Sequence, residues 1–347
     1  MSVAIDVCPW LNSKGISMNK QPFAKNAIRI NPEKEVDKIC NKLRNLLSKQ
    51  FKRRGYVVGL SGGIDSSVTA ALAARSIGSE RVLALLMPER HSSEDTLSLS
   101  STVADHFKIM KVHEDITEIL EAVGFYRRYN DAVRGVIPEY GKGWKSKIVI
   151  PNVLESSRFN LFSIVVQSPD GHTINERLPL KAYLAVVAAT NFKQRIRKML
   201  EYYHADRMNF AVLGTPNRLE YDQGFFVKLG DGAADVKPIA HLYKSQVYDL
   251  AAYLNVPDEV RRRPPTTDTY SLEQGQDEFY FSLPYDKMDL CLYGKNNGIP
   301  VETVADTLEL TPEQVQRVYD DIDTKRSTTR YLHLPPLLVE KVPEINH

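Results

Sequence analysis

The chain reads as an α/β protein, a doubly wound parallel sheet with helices on both faces. Two observations predict this. Apolar strand patterns alternate with helical ones: "GYVVGLS", an alanine-rich segment, then "RVLALLMP", a unit of the roughly thirty residues that a parallel crossover needs. The alternation then repeats through "SSEDTLSLSSTVADHF" and "FKIMKVH", giving β-α-β-α-β, the order of a parallel sheet covered by helices.

Taken in order, residues 1–31 are irregular and read as an N-terminal arm, with the main domain spanning 32–347. "EKEVDKICNKLRNLLSKQF" sets Val36, Ile39, Leu43 and Leu46 or Leu47 at helical spacing. The helix after the first strand is expected from about Ser66 to Ser76, stopped by Gly78, and Ser92 or Ser93 caps the next. "DITEILEAVGF" starts another helix. The alternation breaks at about 126–180, where "SPDG" between apolar runs predicts a β-hairpin, and this stretch reads as an insertion. It is either a surface excursion or a part of the site. A helix follows from Ala182 to Tyr203, then "NFAVLGT" as a fourth strand and "YKSQVYDLAAYL" as an amphipathic helix. The tail reads as two short helices around a turn, with Thr311-Pro312-Glu313 as the start signal.

Composition narrows the function classes. Lys+Arg of 45 against Asp+Glu of 43 leaves no bulk charge to hold nucleic acid or a membrane surface. Cys8, Cys40 and Cys291 form no C-x-x-C pair, so neither a disulfide framework nor a zinc site is expected. With no apolar leader and no membrane span, a cytoplasmic protein is expected. His91, His113, His204 and His241 show no metal-ligand spacing and read as surface or core residues.

The chemistry is concentrated in "VVGLSGGIDSSVTAALAARS". Ser61 to Ser66 join a buried strand to a helix start, where free N–H groups and the positive dipole end favour an anion. Gly62 and Gly63 let phosphate oxygens approach the backbone, and Ser61, Ser66 and Ser67 add hydroxyl donors. Neither G-x-x-x-x-G-K-[ST] nor G-x-G-x-x-G is present. Asp65 would repel bare phosphate, and so makes sense as a ligand of a Mg²⁺ bridging phosphate oxygens.

"SGGIDSS" resembles the pyrophosphate loop of the N-type ATP pyrophosphatases, which include NAD, GMP, argininosuccinate and asparagine synthetases and the tRNA thiolation enzymes. The resemblance implies an adenine nucleotide α-hydrolase-like fold and cleavage between the α- and β-phosphates. It also implies an ATP site of Gly59, Leu60, Ser61, Gly62, Gly63, Ile64, Asp65, Ser66, Ser67 and Met87.

The stretch "VLGTPNRLEYDQGFFVKLGDGAADVKPIAHLYKSQVYDLAAYL" resembles the NAD synthetase family in particular. That likeness implies that Thr215 and Thr266 contact ATP, that Glu220 joins Asp65 in holding Mg²⁺, and that Lys244 reaches the phosphates. It implies Arg195, Lys228 and Asp235 as binders of deamido-NAD, and Asp65 and Lys244 as the catalytic pair. Adenylating a carboxylate sets ATP against another anion, so lysines and a hard metal must neutralise the charge. The family's [HY]-K-R string near the C-terminus is absent; in "TKRSTTRYLHLPP", Lys325-Arg326 or Thr329-Arg330 stand nearest to it.

The expected reaction is therefore deamido-NAD plus ATP and ammonia to NAD, AMP and pyrophosphate, in a homodimer. The arm of about 30 residues is too short for a glutaminase domain, so ammonia is used directly or delivered by a separate glutaminase. Two alternatives stay open at this point. One is an AMP-forming amide ligase for another carboxylate. The other is a nucleotide-sensing DNA binder, whose motive is the helix-turn-helix rhythm of "VETVADTLELTPEQVQRVYDDIDTKR" and against which the net charge of +2 argues.

Overall fold

The computed structural model describes residues 23–150, 162–264, 269–272, 274–275, 280–281 and 283–345. The readings made above on residues 1–22, including Cys8, and on Thr266 lie outside these.

Helix α1 (Pro32–Asn45) leads to β1 (Tyr56–Gly59), α2 (Ile64–Ile77), β2 (Val82–Leu86), α3 (Glu94–His106) and β3 (Met110–His113). Then come α4 (Thr117–Ala122), α5 (Phe125–Arg134), and three short strands, β4 (Lys145–Val149), β5 (Ser163–Gln167) and β6 (Thr173–Arg177). The long α6 (Leu180–Met208) returns the chain to β7 (Ala211–Leu213). Six helices follow: α7 (Arg218–Gln223), α8 (Lys244–Tyr253), α9 (Asp258–Arg262), α10 (Tyr285–Asn296), α11 (Val301–Leu308) and α12 (Pro312–Thr329).

The main sheet has the order β3-β2-β1-β7, with each pair parallel. Alternate residues of each strand point to opposite faces. Tyr56, Val58, Val82, Ala84, Ala211 and Leu213 pack in one core with α1, α2 and α8, whereas Val57, Leu83, Leu85 and Val212 pack in the other with α5 and α6. Both faces are therefore covered, which is why the strands read as unbroken apolar runs. Helices α10 to α12 close a third core around Leu292, Val315 and Ile322.

Three local outcomes differ from the sequence reading. Helix α2 begins at Ile64 rather than near Ser66, which places Asp65 inside the first turn. The helix expected from "DITEILEAVGF" is two helices, broken where Gly124 takes φ +72°, a conformation that costs glycine little. The last helix is not short: α12 runs 18 residues from a capping box in which Thr311 and Gln314 exchange side-chain bonds to each other's backbone N–H.

The expected hairpin is β5-β6, and β4 pairs with β5 to make a three-stranded antiparallel sheet. One face of it, through Ile148, Ile164 and Val166, is buried in the core of α5 and α6. Helix α5 falls within 126–180 almost entirely, yet Phe125, Tyr129 and Val133 pack in that same core. Among the described residues no helix is long and apolar enough to cross a membrane.

Candidate active site

The carboxyl ends of β1, β2 and β7 open into a cavity of about 420 Å³. Ligands of open α/β sheets sit at this edge, where helix N-termini converge. The turn between β1 and α2 forms one wall. Gly62 takes φ +71°, and a β-carbon there would stand 2.9 Å from the Leu99 side chain, so only glycine fits. Gly63 at the helix start has no side chain to cap the first N–H groups, leaving them for a ligand. Ser66 and Ser67 both donate to the Gly63 carbonyl, at 3.1 and 2.8 Å, and so hold the turn. Gly59, Leu60, Ser61, Gly63, Ile64, Asp65, Ser66, Met87 and Thr215 line the cavity. Gly62 and Ser67 do not; Ser67 is fully buried behind the turn.

Asp65 meets residues from two other stretches. Lys244, the first residue of α8 and 2% exposed, donates from Nζ to Asp65 Oδ2. Asn217 donates from Nδ2 to Asp65 Oδ1 at 3.1 Å, while its own Oδ1 caps α7 through the N–H groups of Leu219 and Glu220. Glu220 closes that capping box at 3.0 Å from Asn217 N. The start of α8 is fixed from below: Asp289 of α10 accepts from the N–H groups of Lys244 and Ser245 at 3.1 and 2.8 Å.

The electrostatics follow from burial. Burial first, and then the Asp65 charge, push the Glu220 carboxyl up to about 8. Burial works against the Lys244 charge, but Asp65 and Glu220 outweigh it and hold the ammonium above the usual lysine range. Two carboxylates thus face one ammonium in a site that a cationic ligand would neutralise.

The opposite wall is α6; the helix was expected, but its cavity-lining residues were not. Lys193, 1% exposed, pairs with Glu89 at 2.7 Å and donates to the Thr269 carbonyl at 3.0 Å. Tyr126 donates to the other oxygen of Glu89 at 2.9 Å. Lys198 pairs with Glu201 at 2.6 Å, both almost fully buried, and Arg197 donates to the Met87 carbonyl at 3.2 Å. Ahead of β5, Phe162 stacks on Tyr183 of α6 with ring centroids 4.2 Å apart, and both rings line the cavity. The insertion therefore contributes to the site.

The remaining expected residues are placed elsewhere. Arg195, Lys228 and Asp235 do not line this cavity. The Lys228 ammonium donates to the carbonyls of Tyr331 and Leu334 at 2.8 and 3.1 Å, and Arg195 donates to the Lys228 carbonyl at 3.4 Å. Asp235 accepts from Val212 N at 2.7 Å, tying its loop to β7. Lys325 is paired with Asp321 within α12, and Arg326 bidentately with Asp222 of α7, so both are engaged. The one missed residue with a readable signal is Asn217: N-x-x-E before a helix is a capping box.

A parallel sheet with a phosphate-type loop, a paired Asp and Lys and a second carboxylate has the parts of a nucleotide-dependent enzyme. The profile of the NAD synthase family matches residues 35–137 and 153–331, and the chain belongs to that family. An NH(3)-dependent NAD(+) synthetase of Rhizobium meliloti (strain 1021) is 58% identical over 327 residues, covering 94% of this chain and 98% of that one. Among solved structures, an NMN synthetase from Francisella tularensis superposes with a TM-score of 0.62 at 22% identity, covering 89% and 99% of the two chains. An NH3-dependent NAD synthetase from Campylobacter jejuni does so at 0.59 and 23%, covering 90% and 100%. At these identities the two structures show the shared fold.

Proposed function

We propose that the protein is an ammonia-dependent NAD synthetase: it adenylates the carboxylate of deamido-NAD with ATP, then lets ammonia displace AMP to give NAD. The observation that carries this reading is the meeting of Asp65, Glu220 and Lys244 under the β1–α2 turn. The 58% identical relative of that name, covered almost end to end, supports it.

In this reading the first-turn N–H groups of α2 and the Lys244 ammonium hold the β- and γ-phosphates, and so favour departure as pyrophosphate. Asp65 and Glu220 fit a Mg²⁺ ion, which binds through one or two carboxylates and completes its shell with phosphates and water. When bound, the ion supplies positive charge against the leaving pyrophosphate. In this reading the site must keep water from the acyl-adenylate until ammonia attacks.

Arg195, Lys228 and Asp235 act in deamido-NAD binding on the outer side of α6. Leu180, Leu184, Met199 and Tyr203 expose an apolar stripe on this helix. The stripe supports a homodimer in which the second copy covers this surface. The ammonia comes directly from solution or from a separate glutaminase. The buried thiols of Cys40 and Cys291 accord with a cytoplasmic enzyme.

The test is incubation with Mg-ATP, deamido-NAD and ammonium, with products followed by mass. NAD and AMP in equal amounts are expected. ADP would sink the pyrophosphatase reading, and AMP formed only with another acid would replace deamido-NAD as the substrate.

A further inference from the structure

We infer that Glu201, held by Lys198, is a specificity-determining residue that reads a ribose hydroxyl of ATP. This rests on the reading of the cavity as an ATP site.

Glu201 and Lys198 are 6% and 5% exposed, and both line the cavity. Two oppositely charged side chains placed this deep on a cavity wall are costly to desolvate unless they are well satisfied. Lys198 satisfies one carboxylate oxygen, Oε2, at 2.6 Å. No donor among the described residues reaches the other oxygen, Oε1.

The position of Oε1 is fixed closely. A β-carbon built on Gly59 would stand 2.7 Å from it and 3.3 Å from Met87 Cε. Gly59 is the last residue of β1, immediately before the turn that receives the phosphates. A nucleotide whose phosphates lie on that turn must run its ribose across the end of this strand. The missing side chain of Gly59 lets carboxylate and strand end come together. A carboxylate at a strand end accepting from ribose is a recurrent device of nucleotide-binding α/β folds.

The chemistry selects a neutral donor. A second anion would meet the carboxylate's repulsion, and a small cation would meet the Lys198 ammonium, which already sits 2.6 Å from the neighbouring oxygen Oε2. A vicinal diol offers hydroxyl donors and no charge. Arg197, which donates to the Met87 carbonyl, belongs to the neighbouring strand end, where the base would lie. Lys198 is here a positioning residue: it fixes the carboxylate rotamer and leaves Oε1 turned to the cavity.

The experiment compares kcat/KM for ATP, 2′-deoxy-ATP, 3′-deoxy-ATP and purine riboside triphosphate, with deamido-NAD and ammonium saturating and pyrophosphate release as the signal. The wild type should lose roughly 10- to 100-fold with at least one deoxynucleotide, the range for an unpaired buried acceptor. Lys198→Met/Glu201→Leu removes both charges together and should lose a similar factor for ATP while no longer discriminating. Glu201→Gln keeps the volume and one oxygen for Lys198; it should lower the melting temperature, because the buried ammonium loses its counter-charge, and lose part of the discrimination.

A wild type that uses both deoxynucleotides within about twofold of ATP overturns the inference. So does a Lys198→Met/Glu201→Leu variant that still discriminates, or one whose lost discrimination concerns only the base amine. Failure of the underlying ATP reading looks different: the wild type then forms no AMP from ATP before any variant is compared.

Discussion

On the loop wall of the cavity, Asp65, Asn217, Glu220 and Lys244 come together from three short stretches of chain. On the α6 wall, Lys193 meets Glu89 and Lys198 meets Glu201. The two walls carry similar residues but differ in balance. The α6 pairs are matched one acid to one base, whereas the loop wall sets two acids against one ammonium. The Lys193–Glu89 pair supports shape, because the two charges meet and Glu89 also accepts from Tyr126. An unmatched cluster is poised for a charged ligand; burial first, and then the Asp65 charge, push Glu220 up to about 8.

The largest effect that could break this contrast is at Asp65. Asp65→Ala should abolish turnover, a loss of at least about a thousandfold, with the melting temperature nearly kept; near-normal pyrophosphate release would show that the loop wall is structural too. Lys244→Met should follow with a loss on the order of a hundredfold or more in kcat. Because it also strands two carboxylates, its thermal stability should recover when Mg-ATP is added.

On the other wall the ranking of stability and activity should reverse. Lys193→Met leaves the buried Glu89 without its ammonium, with the Tyr126 hydroxyl still donating, and should cost about 3–5 kcal/mol in denaturant unfolding. Glu89→Leu/Lys193→Met should regain much of that. If the single variant is as stable as the wild type, the pair is not holding the wall.

Asp235 sharpens the contrast from outside the cavity. Asp235→Asn weakens the bond to Val212 N and should cost about 1 kcal/mol. A larger rise in KM for deamido-NAD than in KM for ATP would mark Asp235 as a substrate residue as well as a loop tie.

The last effect is a pH dependence beneath Lys244. Burial pushes the Asp289 carboxyl up to about 6 from its ordinary 3.8. The folded protein then binds this proton more tightly than the unfolded chain does. The contribution to stability is full below about pH 4 and is lost as pH rises through about 6. Asp289→Asn should flatten that part of the wild-type stability profile; an unchanged slope would place the titration elsewhere.

The loop was legible because its meaning is local. Ser61 to Ser66 announce a strand-to-helix turn by glycines and hydroxyls, and one aspartate among them stands in the first turn of the helix. The α6 wall was not legible in this way. Lys193 and Glu89 stand 104 positions apart, and a lone lysine in a helix reads as a solvated one until its partner is seen. Arg195 and Lys228 were read from the motif, and only the structure shows that they bond to each other outside the cavity lining. The boundaries that slipped were those governed by a single φ or a cap, at Gly124 and at Ile64.

By itself the sequence determined the parallel α/β class, the phosphate turn with its aspartate, the hairpin and the kinship with NAD synthetases. Each of these is encoded in residues that are neighbours along the chain, where periodicity, glycine freedom and hydroxyl placement act directly. Only the tertiary structure decided which charges satisfy one another, that the insertion lends Phe162 to the cavity, and that Glu201 keeps one oxygen turned inward. The physical reason is that the energy of a buried charge depends on what lies within a few ångströms of it, and that neighbourhood is made by packing.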